Sequence, residues 1–471
     1  MEKAKFGMIG LGVMGRNFLL NVAENGFRSV GYDLDSEKVT ALNEEGKEFD
    51  THGVNTLPEF IDALETPRRI MLLVPAGKIV DSVMDELKPH LEPGDLIIDG
   101  GNSHFPDTER REKELNAIGL EFLGVGVSGG AEGARRGPSI MIGGKKEAYE
   151  LVRPILEGVS AKVNGEPCAA HVGNGSAGHF VKMVHNGIEY GLMQLISETY
   201  DLLKRGFGMD NGEMADHFEK WNKAELNSFL IEITEKILRR SDPDTGEPLL
   251  DKILDTAGQK GTGKWTSQAA MDLGIPIPTI DSAVSMRQIS AQKSERIEAA
   301  KALGIILPFQ IEGEMREPAV DLVRQGLHLA FIITFAQGMS LLRVASEEKE
   351  FELDLSEIAK IWRGGCIIRA SLLEEIRSAF AHDPGLENLL TSEKFIRTVR
   401  LKQGSLKAAV IYCFSCDVPA LTFSSALNYL KSFATERLPA NMLQAQRDFF
   451  GAHTYQRIDK EGIFHTEWEH I

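Results

Sequence analysis

The first regular pattern in the chain runs Lys5-Phe-Gly-Met-Ile-Gly-Leu-Gly-Val-Met-Gly-Arg-Asn-Phe-Leu-Leu-Asn-Val-Ala-Glu-Asn25. Its β-rich beginning predicts a strand from Lys5 to Ile9, and its amphipathic end predicts a helix from Met14 to Asn25. The glycines at positions 10, 12 and 15 fit three needs: a tight turn, close approach of a pyrophosphate to the backbone, and close packing of helix on strand. The helix N-terminus would attract phosphate through its partial positive charge. This stretch therefore predicts a dinucleotide site at the start of a βαβ unit.

Working outward, short β-rich runs alternate with amphipathic stretches as far as about residue 174, a rhythm typical of a parallel sheet with crossover helices. Beyond residue 178 the β-rich runs largely vanish and long helical periods follow. We therefore expect an α/β, doubly wound, Rossmann-like N-terminal domain, a large all-α domain and a polar C-terminal tail. The expected boundaries are 1–176, 177–435 and 436–471.

The helical part carries a weak internal repeat. Three pairs of positions match at offsets of 147, 141 and 143 residues, since 338 − 191 = 147, 362 − 221 = 141 and 371 − 228 = 143. The pairs are Gly191 with Gly338, Trp221 with Trp362, and Ser228 with Ser371. Such similar offsets predict a duplicated helical unit.

Composition limits the class of protein. With 471 residues, 42% of them hydrophobic, the chain can bury ordinary cores in two or three domains. Its 52 basic and 69 acidic residues give 52 − 69 = −17, which disfavours nucleic acid or an anionic membrane as partner. Four cysteines and the lack of an apolar leader predict a cytoplasmic protein. The apolar run Leu329 to Leu342 is shorter than the roughly 20 residues a bilayer needs and predicts a buried core helix.

The end of the second predicted strand, Tyr32-Asp-Leu-Asp35, bears on cofactor choice. Asp33 lies 33 − 15 = 18 residues after Gly15, where a carboxylate can bind both ribose hydroxyls and repel a 2′-phosphate. No basic residue occurs between Arg28 and Lys38. These observations predict NAD as the cofactor, NADP being less favoured. The alternative is a structural aspartate that closes a turn or caps the next helix.

A second motif places ionisable groups on one helix. Taking Gly178 to Tyr190 as a helix puts five polar residues within an arc of about 140° at 100° per residue. They are Lys182, His185, Asn186, Glu189 and Tyr190. Lys182 and Glu189 are two turns apart, roughly 10 Å along the axis, enough to straddle a small sugar acid. A solvated face with unrelated charges is the alternative.

Further motifs accompany this helix, which is itself preceded by Gly173-Asn-Gly-Ser-Ala-Gly178. They are Ile98-Asp-Gly-Gly-Asn102-Ser, Gly126-Val-Ser128-Gly129-Gly130, Gly258-Gln-Lys260-Gly-Thr-Gly-Lys-Trp265 and Gln444-Ala-Gln-Arg447-Asp-Phe-Phe-Gly-Ala-His453. Together they resemble the 6-phosphogluconate dehydrogenase family along essentially the whole chain. The resemblance implies metal-independent oxidative decarboxylation of 6-phospho-D-gluconate to D-ribulose 5-phosphate and CO2, with reduction of a nicotinamide cofactor.

The resemblance also implies residue roles. Lys182 would be the general base and Glu189 the general acid. The implied substrate contacts are Asn102, Ser128, Gly129, Gly130, His185, Asn186, Tyr190, Lys260, Arg287, Arg447 and His453, the last two from a second subunit of a homodimer. The implied cofactor contacts are Gly10, Leu11, Gly12, Val13, Met14, Gly15, Asp33, Leu34, Asp35, Val74, Pro75, Ala76 and Asn102. NADP-using members typically carry Asn-Arg-Thr after the second strand, and many have lysine where Pro75 stands, so these departures again favour NAD.

Two other functions fit parts of the sequence. A smaller β-hydroxyacid dehydrogenase shares the Ser-Gly-Gly and lysine-helix pattern but leaves the second helical unit and the tail unexplained. A non-catalytic protein could sense NAD on the same scaffold. The second copy of the repeat is typical of a site that has lost its chemistry, because Leu329 and Ala336 occupy the positions of the lysine and glutamate. The first copy keeps both ionisable groups, which favours an enzyme.

Overall fold

The computed structural model describes residues 2–304 and 310–468. They fall into two compact units, Met1–Ala426 and Leu427–Ile471. The larger unit begins with an eight-stranded sheet, followed in sequence by helices.

The strands are short, and those between the two edges of the main sheet are largely buried. They are β1 (Phe6–Ile9), β2 (Ser29–Tyr32), β3 (Thr51–Val54), β4 (Arg69–Leu72), β5 (Leu96–Asp99), β6 (Glu121–Ser128), β7 (Ser139–Gly144), β8 (Lys162–Val163), β9 (Glu166–Pro167) and β10 (Ala169–Gly173). The order across the main sheet is β10-β7-β6-β5-β4-β1-β2-β3, while β8 and β9 form a separate pair. The predicted strand from Lys5 to Ile9 and the second predicted strand are present as β1 and β2, and β3 and β10 lie at the two edges of the sheet.

One direction in the sheet differs from the expected parallel arrangement. Strand β7 pairs antiparallel with β6, although the other neighbours, including β10 with β7, are parallel. The link from Ser128 to Ser139 holds only 139 − 128 − 1 = 10 residues, fewer than the dozen or more typical of a parallel crossover. The short connection therefore returns the chain in the opposite direction.

Both faces of the sheet are covered by apolar side chains. In β5, Leu96 and Ile98 belong to one hydrophobic cluster and Ile97 to another. The same alternation holds in β4, where Met71 faces the first cluster and Ile70 the second. Burial on both faces explains why these strands read as continuous apolar runs.

Helices connect the strands and make up most of the remaining chain. They are α1 (Val13–Glu24), α2 (Ser36–Glu45), α3 (Leu57–Ala63), α4 (Lys78–Leu87), α5 (Phe105–Asn116), α6 (Gly130–Arg136), α7 (Lys146–Glu150), α8 (Arg153–Val159), α9 (Ala177–Asp201), α10 (Asn211–Asn222), α11 (Phe229–Leu238), α12 (Thr262–Asp272), α13 (Pro278–Ala291), α14 (Lys293–Leu303), α15 (Arg316–Glu348), α16 (Leu355–Ile361), α17 (Leu372–His382), α18 (Glu393–Ser415), α19 (Leu421–Phe433) and α20 (Ala440–Gly451). Helix α9 contains the predicted polar face, and α15 contains the predicted core helix.

The repeat seen in the sequence is visible in the packing. Helices α9 and α15 cross at two glycines: a Cβ on Gly191 would lie 2.6 Å from Thr334 Cγ2, and one on Gly338 would lie 2.5 Å from Ile188 Cδ1. The stretches 227–229 and 369–371 pair with each other, each donating one backbone N–H to the other at 3.0 Å. These reciprocal contacts relate equivalent positions of the two copies and support an internal duplication.

Helix α15 is long and apolar enough to cross a membrane by length and composition. However, 78% of its apolar window is buried inside the fold, and both Leu329 and Leu342 are fully buried. The expectation of a core helix is confirmed.

Helix α9 lies unusually close to the sheet because glycines face each other at the contact. A Cβ on Gly178 would lie 2.2 Å from Gly124 O of β6 and 2.6 Å from Gly143 N of β7. One turn further along, a Cβ on Gly126 would lie 2.4 Å from Lys182 Cβ. A side chain at Gly126 or Gly143 would therefore push α9 away from the sheet.

Alanine at position 178 tests this contact. Gly178→Ala is expected to destabilise the protein by about 2 kcal/mol, because the new methyl meets backbone atoms that cannot move aside. Gly404 of α18 is the matched control, since open space surrounds the position of its missing Cβ. Gly404→Ala should be neutral or stabilise by up to about 1 kcal/mol. Thermal unfolding compares the two variants, and equal midpoints would contradict the proposed close packing.

Candidate active site

The turn between β1 and α1 is built as the glycine pattern predicts. Gly10 has φ +97°, and a Cβ there would lie 2.5 Å from Leu73 O, so the turn needs glycine. A Cβ on Gly15 would lie 1.8 Å from Gly10 O, which explains the close packing of helix on strand. Nothing lies within 4 Å of the Cβ position at Gly12. This open space leaves the backbone accessible to a phosphate at the start of α1.

A cavity of about 830 Å³ opens at this turn, a volume in the range of small-molecule and cofactor sites. Eight of the predicted cofactor contacts line it: Gly12, Val13, Met14, Gly15, Val74, Pro75, Ala76 and Asn102. Of the predicted substrate contacts, Lys260 lines it too. Gly10, Leu11, Asp33, Leu34 and Asp35 are not among its lining residues. Gly10 and Leu11 are buried in the turn itself.

Asp33 is already engaged with the backbone. Its Oδ2 accepts a hydrogen bond from Leu11 N at 2.8 Å, and its Oδ1 accepts one from Asp35 N at 2.9 Å. The Asp35 side chain in turn caps α2 by accepting from Glu37 N at 3.0 Å. Lys38 Nζ lies 3.5 Å from a carboxylate oxygen of each aspartate. The strand end therefore holds two structural carboxylates with a cation beside them.

The polar face of α9 is buried rather than solvated. Lys182 and His185 are buried, and the Glu189 side chain is 21% exposed. Lys182 Nζ lies 3.5 Å from His185 Nδ1, which also lies 3.1 Å from Asn186 Oδ1 and 3.9 Å from Glu189 Oε2. The imidazole therefore lies between the amine and the carboxylate that the sequence singles out. The solvated-face alternative is excluded for these residues.

Burial shifts the ionisation of this group. It lowers the pKa of Lys182 from its ordinary value, while the negative charge of Glu189 opposes the shift. Burial raises the pKa of Glu189, opposed by the positive charges of Lys182 and Arg287. Burial and the charge of Lys182 together hold the pKa of His185 well below its usual range. The site therefore brings an amine that readily becomes neutral close to a carboxyl group that readily becomes protonated.

The end of β6 joins this group. Ser128 is buried, and its Oγ lies 3.3 Å from His185 Nε2. Gly129 and Gly130 follow with φ of +115° and +65° and lead into α6. Val127, one residue earlier, lines the dinucleotide cavity. The Ser-Gly-Gly motif thus adjoins both the α9 cluster and the cavity.

A cationic group adjoins the C-terminal side of the polar face. The Arg287 guanidinium lies 3.8 Å from the centre of the Tyr190 ring, and its Nη1 donates to Gly258 O at 2.7 Å. Gly258 begins the loop that carries Lys260. The structure therefore brings Tyr190 and Arg287 together next to the Lys260 loop, as a site for a phosphate group requires.

Sequence reasoning missed a pair of aromatic side chains that line the cavity. His104 follows β5 and stacks on Trp265 of α12, with ring centres 4.5 Å apart and planes at 23°. Both residues line the cavity, and burial lowers the pKa of His104. Trp265 ends the motif that begins at Gly258, but its stacking partner His104 lies far away in sequence. Neither residue by itself indicates the contact.

The remaining two predicted residues, Arg447 and His453, lie in the unit Leu427–Ile471. Arg447 is exposed on α20, where its Nη1 donates to Gln444 Oε1 at 3.1 Å. His453 is exposed just beyond the end of α20. Instead of a simple extension, this segment folds on itself through paired backbone hydrogen bonds between Tyr455 and Phe464, both 2.8 Å.

Three features define the class of this protein: a dinucleotide turn, an adjoining cavity, and a buried group of amine, imidazole and carboxyl. The class is that of NAD(P)-binding dehydrogenases with a helical substrate domain. Residues 5–173 match the NAD binding domain of 6-phosphogluconate dehydrogenase, and residues 178–468 match the C-terminal domain of 6-phosphogluconate dehydrogenase. The chain belongs to the 6-phosphogluconate dehydrogenase family.

Individual relatives agree over the full length. A Bacillus subtilis protein named 6-phosphogluconate dehydrogenase, NADP(+)-dependent, decarboxylating, is 51% identical, covering 99% of this chain and 100% of its own. The Escherichia coli 6-phosphogluconate dehydrogenase, decarboxylating, is 49% identical with the same coverage. The Plasmodium falciparum 6-phosphogluconate dehydrogenase, solved in apo form, with its cofactor NADP+ and with its substrate 6-phosphogluconate, superposes with a TM-score of 0.95 at 43% identity. It covers 98% of this chain and 100% of its own.

These relatives correct the expected cofactor. The prediction of NAD is wrong, because the Bacillus subtilis relative is named NADP(+)-dependent and NADP+ is named as the cofactor of the Plasmodium protein. Both oxygens of Asp33 accept backbone hydrogen bonds, which agrees with the structural alternative for this aspartate. Lys38, which ends the stretch without basic residues, has its ammonium 3.5 Å from a carboxylate oxygen of both Asp33 and Asp35.

Proposed function

We propose that this chain catalyses the oxidative decarboxylation of 6-phospho-D-gluconate to D-ribulose 5-phosphate and CO2, with NADP+ as the oxidant. The observation that supports it most directly is the burial of Lys182 and Glu189 on one face of α9, with the pKa of the amine lowered and that of the carboxyl raised. Relatives named as decarboxylating 6-phosphogluconate dehydrogenases, which match this chain over 99% of its length, add to this support.

In this proposal the nicotinamide, when bound, accepts a hydride from C3 of the sugar acid. Neutral Lys182 removes the proton of the C3 hydroxyl, and the product of this step is a β-keto acid. The resulting ammonium of Lys182 then polarises the ketone while the C1 carboxylate leaves as CO2, a task for which other enzymes use a metal. Metal independence stays a prediction.

Glu189 completes the reaction as an acid. Loss of CO2, with transfer of a proton from Lys182 to the ketone oxygen, leaves an enediol. The protonated carboxyl group of Glu189 then donates a proton to the carbon that lost the carboxylate while the neutral amine of Lys182 takes up the enol proton, giving the ketose. The raised pKa of Glu189 keeps this carboxyl group protonated to higher pH than an ordinary glutamate. Lys182 must therefore be neutral to act as the base, and Glu189 must be protonated to act as the acid. Burial lowers the pKa of Lys182 and raises that of Glu189, so it favours the required form of each.

The remaining polar residues would hold the substrate. Ser128, Gly129, Gly130, Asn102, His185 and Asn186 are assigned to its carboxylate and hydroxyls. Tyr190, Lys260 and Arg287 are assigned to its phosphate, together with Arg447 and His453 from the second subunit of a homodimer. A strongly acidic chain needs such a concentrated cationic group to bind a phosphorylated acid.

The four cysteines are free thiols, which supports a reducing, cytoplasmic compartment.

Removing either acid–base group tests the mechanism. Lys182→Met and Glu189→Gln should each lower kcat by about 10²-fold to 10⁴-fold, with NADP+ binding unchanged. Lys220→Met, on an exposed position of α10, is the matched control and should keep full activity. NADPH formation and CO2 release measure the effect, and near-normal turnover by either variant would end the proposed mechanism.

The pH dependence of the unmodified enzyme follows from the same group. The base acts as the neutral amine, so kcat/KM should rise with pH through the pKa of Lys182. Because burial lowers that pKa, the rise should be centred below pH 10.5, the ordinary value of a lysine amine.

Arg287 tests the assignment of the phosphate. Arg287→Ala should raise KM for 6-phosphogluconate by about tenfold or more, because a guanidinium fork is lost, while KM for NADP+ changes by less than about twofold. Arg153→Ala on the exposed surface of α8 is the control for loss of an arginine. A rise in both KM values to the same extent would place Arg287 outside the substrate site.

Lys38 tests the cofactor assignment. The enzyme should use NADP+ more efficiently than NAD+, and Lys38→Ala should reduce kcat/KM for NADP+ by about tenfold with little change for NAD+, since a cation beside the 2′-phosphate is removed. Lys47→Ala, exposed shortly after α2, is the control. An equal loss with both cofactors would show that Lys38 does not read the 2′-phosphate.

A further inference from the structure

The unit Leu427–Ile471 is organised around the carboxylate of Asp448. This side chain is fully buried on α20 and accepts four hydrogen bonds from the segment that follows. Its Oδ1 accepts from Thr454 N at 3.0 Å and from His465 Nδ1 at 2.9 Å. Its Oδ2 accepts from Thr466 N at 3.0 Å and from Trp468 Nε1 at 2.8 Å. One side chain thus fastens both ends of the segment 454–468 to the helix.

The charge of Asp448 suits this task. Burial raises the pKa of Asp448, but the hydrogen bonds from His465, Thr466 and Trp468 outweigh it and hold the pKa at about 2. The carboxylate is therefore ionised at all physiological pH values. All four neighbours donate hydrogen bonds to the Asp448 carboxylate, which can only accept. An amide N–H in place of one carboxylate oxygen would therefore have no acceptor.

The turn next to Asp448 is strained. Ala452 and Thr454 have φ of +48° and +61°, the left-handed region that non-glycine residues rarely adopt, and they flank His453 on both sides. Both are held by Asp448: Ala452 N donates to its carbonyl at 2.9 Å, and Thr454 N donates to its carboxylate. Strained backbone of this kind persists only where the surroundings fix it, and it is concentrated at binding sites.

What this buried carboxylate fixes is an exposed turn. Arg447 precedes Asp448 directly and projects to solvent, and His453 is exposed between the two strained residues. A fully buried charge that holds an exposed arginine and an exposed histidine in one conformation suggests preorganisation for a ligand.

We propose that Asp448 is a positioning residue that fixes the turn from Arg447 to His453 in the conformation that binds the substrate phosphate. This inference rests on the proposed function, in which Arg447 and His453 complete the site of a second subunit. Asp448 itself does not touch the substrate. Its contribution to binding passes through Arg447 and His453, so it should vanish when both side chains are absent.

A double-mutant cycle tests this dependence. Asp448→Asn keeps the shape but turns an N–H toward donors, so it should raise KM for 6-phosphogluconate by about tenfold with kcat and KM for NADP+ within about twofold. The variant Arg447→Ala/His453→Ala should raise KM for 6-phosphogluconate at least as much. Adding Asp448→Asn to it should change KM no further, because the effects share one cause. Steady-state kinetics of the full-length enzyme supplies all four values.

Two further variants provide a control and an alternative test. Asp459→Asn makes the same substitution at an exposed aspartate of the same unit, whose partner is Arg457, and should leave KM unchanged. Trp468→Phe removes one donor to Asp448 while keeping an aromatic ring near Phe449. It should raise KM for 6-phosphogluconate by about threefold, again only when Arg447 and His453 are present. It serves as the test if Asp448→Asn does not fold.

The outcomes separate this inference from the proposed function. If Arg447→Ala/His453→Ala leaves KM unchanged, the assignment of the tail to the substrate site fails, and this inference fails with it. If that variant raises KM but Asp448→Asn does not, only the positioning role is wrong. Additive effects in the triple variant, or a loss confined to kcat, would also overturn it. A KM effect of Asp448→Asn that disappears without Arg447 and His453 supports it.

Discussion

The close contact between α9 and strands β6 and β7 is the constraint on which the site depends. Gly178 lies against backbone atoms of Gly124 and Gly143, so helix and sheet approach without intervening side chains. Because Lys182 follows one turn later, this contact sets its position above Gly126. The amine is buried because the helix is close, and its pKa falls because it is buried. Packing and chemistry therefore have the same origin in a few glycines.

Much of this arrangement could be predicted from local sequence. The glycine turn after β1 and the polar face of α9 each lie within about 15 consecutive residues, where the periodicity of a helix or strand determines the geometry. The direction of β7 was not expected, because it depends on the length of a connection rather than on any residue type. Strand β3, Thr51–Val54, carries a histidine and a glycine in four residues, too weak a pattern to predict a strand.

Contacts between distant segments could not be predicted. His104 and Trp265 stack across a separation of 265 − 104 = 161 residues, and nothing in either segment indicates the other. Asp33 shows a related difficulty for charge. The sequence places a carboxylate at the end of β2, but only the structure reveals that backbone N–H groups of Leu11 and Asp35 already occupy its oxygens. A charged residue type at a familiar position therefore does not establish which ligand it faces.

The crossing of α9 and α15 has a consequence for how the active copy stays functional. Val184 and Ile188, on the apolar side of α9, meet Gly338 of α15 within the same chain. The chain itself therefore shields those side chains from water. At the positions that match the lysine and glutamate of α9, helix α15 carries Leu329 and Ala336, which are apolar and fully buried. The second copy thus contributes apolar interior surface at the positions where the first copy carries ionisable groups.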